Sequence, residues 1–283
     1  MDLQAFNRAV SSESAARRYL LGKCWENHQR FCPRCRTRKL YKLGDERRRC
    51  SRCRYTFHDF SGRWINQGGL SYVQWLWLIK LFDLGASTRR IGKEMKVAYR
   101  TAYRSLTAIR LAILAHASDA ERLLGGAVEV DEAYFGGRRK GKRGRGAPGK
   151  VPVFGILERN GRVLVEVVPN VKASTLLSLT TKKVKWGSIV YTDRYQVYDA
   201  LMSYGYQHEA VDHKVHFTRG KVYINGIEGF WSFAKERLMK FHAISPQTFP
   251  LYIKEMEFRY NHRDEDTFEL VTSYLCDLVP NRD

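Results

Sequence analysis

Four cysteines fall in two close pairs, Cys32-Pro-Arg-Cys35 and Cys50-Ser-Arg-Cys53, separated by the fourteen residues 36 to 49. Two such knuckles can close a tetrahedron of thiolates around one zinc ion with no open position, so the predicted zinc is structural rather than catalytic. His58, five residues further on, is read as a surface histidine because four sulfurs already fill the site. The other chemistry-bearing residues are carboxylates from three separate runs: Val128-Glu129-Val130-Asp131, Ile189-Val190-Tyr191-Thr192-Asp193 and Ile227-Glu228-Gly229-Phe230-Trp231. Alternation along the first run puts Glu129 and Asp131 on one face of a strand and Val128 and Val130 on the other. A carboxylate pair on a half-buried strand is costly unless something positive sits there, and a metal ion would neutralise it. Asp131 is the predicted ligand, with Glu129 and Glu132 as neighbours. Asp193 ends a buried run, the place where open α/β sheets bind ligands. Glu228 and Lys235 lie seven apart on a predicted helix, nearly on one face, which suits a carboxylate on a metal and an ammonium beside a phosphate. Carboxylates from three such distant points suit two magnesium ions held around a phosphodiester. Singly, each has a plainer reading as well: a turn cap for Asp131, a turn or helix cap for Asp193, an exposed helical glutamate for Glu228.

The elements that must position these residues follow from periodicity and turn chemistry. Residues 1 to 22 read as a short helix, and 31 to 64, dense in Cys, Arg and Gly, as a metal-stapled module. From Leu70 to about His116 the pattern is helical. Ser87 is the predicted N-cap of a helix through Met95, and a second helix runs from about Ala98 to Ala115; with Arg100, Arg104 and Arg110 on the second, the pair reads as helix-turn-helix. After Gly125-Gly126 come strands at Val128 to Tyr134, Val153 to Glu158 and Val163 to Val168, the last two joined by the hairpin signal Asn160-Gly161. A helix at Ser174 to Lys183, a strand at Ser188 to Thr192, a strand at Glu209 to Phe217, and helices at Ile227 to Phe241 and Pro246 to Tyr260 complete the order. The segment Arg138 to Lys150 holds seven Lys or Arg and four Gly in thirteen residues, and is expected to be a mobile loop that touches a DNA backbone.

Composition sets the partner. With 49 Lys and Arg against 29 Asp and Glu, the net charge of +20 favours a polyanion, nucleic acid ahead of an anionic membrane surface. No apolar stretch is long enough to span a bilayer and no signal peptide opens the chain, so a cytoplasmic, nucleoid-associated protein is expected. Cys24 and Cys276 are read as small hydrophobes. The arginines in and around the knuckles are expected to contact phosphates, and His208, His213 and His216 to be strand and loop residues.

The zinc knuckles, the helix pair, VEVDEAYFGG, IVYTDRYQVY, and NGIEGFWSFAKERLMKF followed by FRYNHR together resemble bacterial insertion-sequence transposases, nearest to the ISXO-two-like DDE group. The resemblance spans about Arg30 to Phe268. It implies an α/β fold with an RNase H-like catalytic domain on a mixed five-stranded sheet, preceded by a zinc ribbon and a helix-turn-helix. The expected division is residues 1–28 as an N-terminal helical segment, 29–66 as the ribbon, 67–120 as the helix-turn-helix and 121–283 as the catalytic domain. By position the resemblance makes Asp131, Asp193 and Glu228 the catalytic carboxylates holding two Mg (or Mn) ions, Lys235 the basic residue after the glutamate, and Asn225 the asparagine leading the motif. It also implies double-stranded DNA, both element ends and target, as partner and a homo-oligomer on that DNA. One departure stands out: many DDE enzymes carry arginine four residues before the glutamate, where this chain has Ile224, leaving Arg219, Arg237 and Arg259 as candidate substitutes. A zinc-ribbon regulator with a degenerate catalytic domain, and a nuclease that cuts without joining, are the alternatives.

Overall fold

A computed structural model describes residues 1–25, 29–44, 46–67, 69–118, 123–136, 150–193, 196–211, 223–241 and 244–280. The basic segment 138–149, Tyr195, His213, His216 and Arg219 lie outside the described residues, as does the predicted strand beyond Val211. The chain divides into two compact units, Met1–Asp119 with Asp264–Asp283, and Ala120–Arg263.

The first unit begins with two helices where one was expected, α1 (Leu3–Ala9) and α2 (Glu13–Cys24), because Ser12 caps the second by accepting from the Ala15 amide at 3.1 Å. A small antiparallel sheet follows, β1 (Leu40–Lys42), β2 (Arg48–Cys50) and β3 (Thr56–Phe57). Three helices come next, α3 (Tyr72–Asp83), α4 (Thr88–Glu94) and α5 (Tyr99–Ser118). Ser71 and Gln74 form a capping box on α3, and the Glu13 carboxylate accepts from the Tyr72 amide (3.0 Å) and the Val73 amide (3.3 Å), tying α2 to that helix start. Ser87 caps α4 as its position predicts.

The second unit is a mixed sheet covered on both faces. Its strands are β4 (Ala127–Phe135), β5 (Val151–Glu158), β6 (Val163–Val167), β7 (Ile189–Asp193) and β8 (Gln207–Val211), in the order β6-β5-β4-β7-β8. The first three form an antiparallel meander, whereas β7 and β8 run parallel to β4. This is the strand order of an RNase H-like α/β fold. The β5–β6 hairpin turns at Asn160, whose positive φ of 58° is the conformation such a turn demands. On one face α6 (Ala173–Lys183) and the 3-10 stretch Gln196–Tyr204 bury Val128, Val130, Phe154, Ile156 and Val190. On the other, α7 (Asn225–Met239) and α8 (Phe249–Asn261) bury Ala133, Phe135, Val153, Leu157 and Val165. Side chains of α8 pair with β6: Asn261 accepts from the Val163 amide at 2.8 Å and donates to its carbonyl at 2.9 Å, and Glu257 accepts from the Val165 amide at 2.7 Å. Asn261 belongs to the FRYNHR run, which gives that run a structural task.

The chain's last helix, α9 (Thr267–Cys276), packs with α2, α3 and α5 in the first unit. Among the described residues, no helix is long and apolar enough to cross a membrane.

Candidate active site

Strand register brings the first two carboxylates together. Parallel pairing sets Val128 beside Val190 and Val130 beside Thr192, so one step further Asp131 on β4 stands abreast of Asp193 at the end of β7. The third comes from α7, which lies over the same face: the Trp231 indole N–H donates to Asp131 Oδ2 at 3.1 Å. Three residues before Trp231, Glu228 projects from the exposed side of the first turn of α7. Asn225, Glu228, Ser232 and Lys235 share one helical face, and Asn225 and Lys235 are exposed on it.

The electrostatics agree with the packing. Burial pushes the Asp131 carboxyl up, as do the neighbouring charges of Asp193 and Glu228, while the Glu132 amide and the Trp231 indole pull it down; it comes to rest at about 6. Two further carboxylates, Asp193 and Glu228, beside a buried carboxyl held against its own ionisation are an arrangement that a hard divalent cation would relieve. The carboxylates are not drawn together as closely as thiolates on a metal. Among the described residues, only the four ribbon sulfurs form a set of ligand atoms all within 4.8 Å.

Trp231 can reach Asp131 only because residue 155 has no side chain. Gly155 pairs with Asp131 across β4 and β5, and a Cβ there would lie 2.5 and 2.7 Å from the Trp231 ring. Glu132 points to the opposite face and accepts the Tyr198 hydroxyl. His208 lies on β8 within 2.9 Å of the Thr192 hydroxyl, a strand residue as expected.

Glu129 shares its face with Asp131 but is fully buried at 1% exposure and serves a different purpose. It accepts from Arg159 Nε at 3.0 Å and from the Ile227 amide of α7 at 2.9 Å. Nothing at the sequence level marks Arg159, which sits in the β5–β6 turn. Of the arginines considered in place of residue 224, Arg237 lies over the Phe233 ring at 4.7 Å and Arg259 bonds Glu255 at 2.9 Å. Arg159 is the arginine bonded beside the start of α7.

The cysteine cluster is built as two copies of one turn. Cys32 and Cys50 each accept, at the backbone carbonyl, the amide four residues on, from Arg36 at 2.9 Å and Arg54 at 3.2 Å. Arg36 and Arg54 both adopt a φ of 60°, the left-handed residue that closes each knuckle. The Sγ atoms stand 3.6 Å apart for Cys32 and Cys53 and 3.4 Å apart for Cys35 and Cys50. A tetrahedron with Zn–S bonds of about 2.3 Å has edges of about 3.8 Å, so the four sulfurs fit a zinc ion with little movement. Burial pushes the Cys32 thiol up to about 12, whereas bonds from Thr37 draw Cys35 down to about 6.

One expected phosphate contact, Arg48, and one arginine of the predicted helix-turn-helix, Arg110, need correction. Arg48 bonds the buried Asp59 at 3.1 Å, a carboxylate that also gathers Arg30 at 2.9 Å and Arg17 at 3.4 Å, and so it is a structural cation. Arg110 is 1% exposed in the core of its unit, unlike Arg100 and Arg104 on the exposed side of α5. Arg34, Arg36, Arg38, Arg47, Arg49, Arg52 and Arg54 are exposed.

Fold and site together define an RNase H-like α/β protein with a four-cysteine ribbon. The sequence matches the ISXO2-like transposase domain over residues 123–261 and the transposase zinc-ribbon domain over residues 11–56. It is 45% identical over 103 residues to an uncharacterised transposase-like protein of Haemophilus influenzae, an alignment covering 36% of this chain and 84% of that protein. It is 29% identical over 274 residues, 88% of this chain and 90% of the other, to an uncharacterised protein in the transposable element ISH50 of Halobacterium salinarum. The chain belongs to the ISXO2-like transposase family. Among solved structures it is similar to the Mos1 strand transfer complex, with a TM-score of 0.29 and 12% identity over 71% of this chain and 74% of that one.

Proposed function

We propose that this protein is the transposase of an insertion sequence, which binds the terminal inverted repeats of its element and catalyses divalent-metal-dependent strand cleavage and strand transfer. The observation that carries the reading is the pairing of β4 with β7, which supports a site made of Asp131 and Asp193 side by side with Glu228 facing them from α7. These three carboxylates would hold two Mg (or Mn) ions. Bound there, the ions supply Lewis-acid stabilisation of charge on the reacting phosphodiester and a more acidic water. The chain's own part is to fix the carboxylates on a rigid sheet and helix, to hold Asp131 through Trp231, and to present Lys235 and Asn225 along the α7 face to the DNA backbone. Water attack at the element end would release a 3′ hydroxyl, and in-line attack of that hydroxyl on target DNA would join the two without a covalent protein intermediate.

The ribbon, residues 29–66, would carry a structural zinc and, with its exposed arginines, grip the duplex backbone together with the helix pair in 67–120; within residues 121–283, the part up to Arg263, which forms the second unit, would carry the catalysis. A homo-oligomer assembled on DNA is part of this reading. The test is purified protein with a labelled terminal-repeat duplex and Mg, scored for 3′-end nicking and for joining. Both activities are expected, and both should be lost in Asp193→Ala. Binding without cleavage would sink the proposal in favour of a regulator, and nicking without joining would favour a nuclease.

A further inference from the structure

We infer that Arg159 and Glu129 are positioning residues that set where Glu228 stands relative to Asp131 and Asp193; the inference rests on the metal-dependent chemistry proposed above. The start of α7 lacks a cap of its own. Its N-cap position is Ile224, which offers no side-chain acceptor, and the first-turn amides need a partner from elsewhere. Glu129 supplies it from the sheet, accepting from the Ile227 amide at 2.9 Å, one residue before Glu228. Residue 226 must be glycine for the helix to come so near, since a Cβ there would lie 2.9 Å from Glu129 Oε2 and 3.0 Å from Leu157.

Glu129 is itself held. Arg159 donates Nε to its other oxygen at 3.0 Å and an Nη2 proton to the Tyr223 carbonyl, two residues before α7. The guanidinium carbon lies 3.6 Å from the centre of the Tyr191 ring and 4.0 Å from that of Tyr223. Tyr191 is two residues before Asp193 on β7. One guanidinium therefore touches the strand that carries Asp193, the strand that carries Asp131 through Glu129, and the segment that leads into Glu228. Its planar fork and flat faces make these contacts at once, which a lysine ammonium cannot do. The brace touches neither DNA nor ions; it fixes the spacing of the groups that do.

The test uses the full chain with its zinc in place and Mn2+ as probe, counted from the free-ion paramagnetic resonance signal. Wild-type binding that weakens in Asp131→Asn and Glu228→Gln marks the site. Arg159→Ala should raise the Mn2+ concentration for half-saturation about tenfold or more and lower kcat for duplex cleavage comparably, with KM for the duplex unchanged. Without added Mn2+ and with the zinc still in place, the Ile227 amide of Arg159→Ala should exchange faster with solvent than that of wild type. Arg159→Lys should behave nearly like the alanine variant. A folded Arg159→Ala with wild-type half-saturation and wild-type Ile227 exchange overturns the brace, and so does a raised KM with unchanged kcat, which would make Arg159 a DNA contact. Should Arg159→Ala fail to fold, Arg159→Lys and Glu129→Gln carry the same measurements, and wild-type values in both overturn it. If the wild type neither cleaves DNA nor binds Mn2+ through Asp131, the proposed function falls, and Ile227 exchange alone then decides the brace.

Discussion

Asp131 offers a prediction whose sign and size come from its surroundings. In the unfolded chain its carboxyl titrates near the ordinary value of 3.8, whereas in the folded protein burial and the charges of Asp193 and Glu228 raise it to about 6. The folded state thus holds a proton that the unfolded state has released, and raising the pH favours unfolding across this interval. At about 1.36 kcal/mol per pH unit, the rise from 3.8 to about 6 corresponds to about 3 kcal/mol of stability that is present below pH 4 and lost by pH 7. Asp131→Asn removes the titration while keeping an oxygen to accept from Trp231. The assay is urea unfolding of both proteins from pH 3.5 to 7.5 in magnesium-free buffer, where any acid release of zinc from the ribbon affects both alike and cancels in their difference. The variant should gain on the wild type by about 3 kcal/mol between the two ends of that range. Millimolar Mg2+ at pH 7 should then restore the wild type and leave the variant unmoved. A difference between the two proteins that stays flat with pH would refute the reasoning, because it would mean that Asp131 is no more crowded folded than unfolded.

Further outcomes follow from other contacts. Gly155→Ala should displace the Trp231 ring, cost about 1–3 kcal/mol in unfolding experiments and reduce cleavage; unchanged stability and activity would show that the ring has room to spare. Asp59→Ala leaves three arginines around a vacated buried position and should destabilise the first unit by about 3 kcal/mol, visible as a lower thermal midpoint. One zinc per chain should be measured by atomic absorption and be lost in Cys50→Ser together with the ordered ribbon; a full zinc complement in that variant would refute the four-sulfur site.

Some of this architecture is legible from local rules and some cannot be. The strands bearing Asp131 and Asp193 announce themselves, since β-branched residues run up to a carboxylate in each, and Asn160-Gly161 fixes the hairpin of β5 and β6 beside β4. Glu228 draws its meaning from the motif around it, because an exposed glutamate on a helix carries no local signal. Arg110 could have been placed correctly from periodicity alone: it falls four residues after Leu106 and three before Ile113, both buried, and so belongs to the apolar stripe of α5. Arg48 and Arg159 are different. Their partners, Asp59 and the pair Glu129 and Tyr223, are set by tertiary packing, and no spacing rule connects a turn residue to the start of a helix in another part of the fold.

The alternation that places Glu129 and Asp131 on one face raises an electrostatic problem that Arg159 resolves. Four carboxylates, those of Glu129, Asp131, Asp193 and Glu228, crowd toward the same side of the sheet. Arg159 neutralises Glu129 at 3.0 Å, and the remaining three carry a formal charge of −3. On the proposed reading two divalent ions add +4 and a phosphodiester adds −1, so the loaded site closes at zero. Were Glu129 unpaired, the ion-loaded site would be neutral rather than +1 before the phosphodiester arrives, and its net attraction for the backbone would be lost. Pairing Glu129 with arginine therefore does two things at once. It takes a surplus charge out of the proposed metal site, and it turns that carboxylate into the anchor of the helix that carries Glu228.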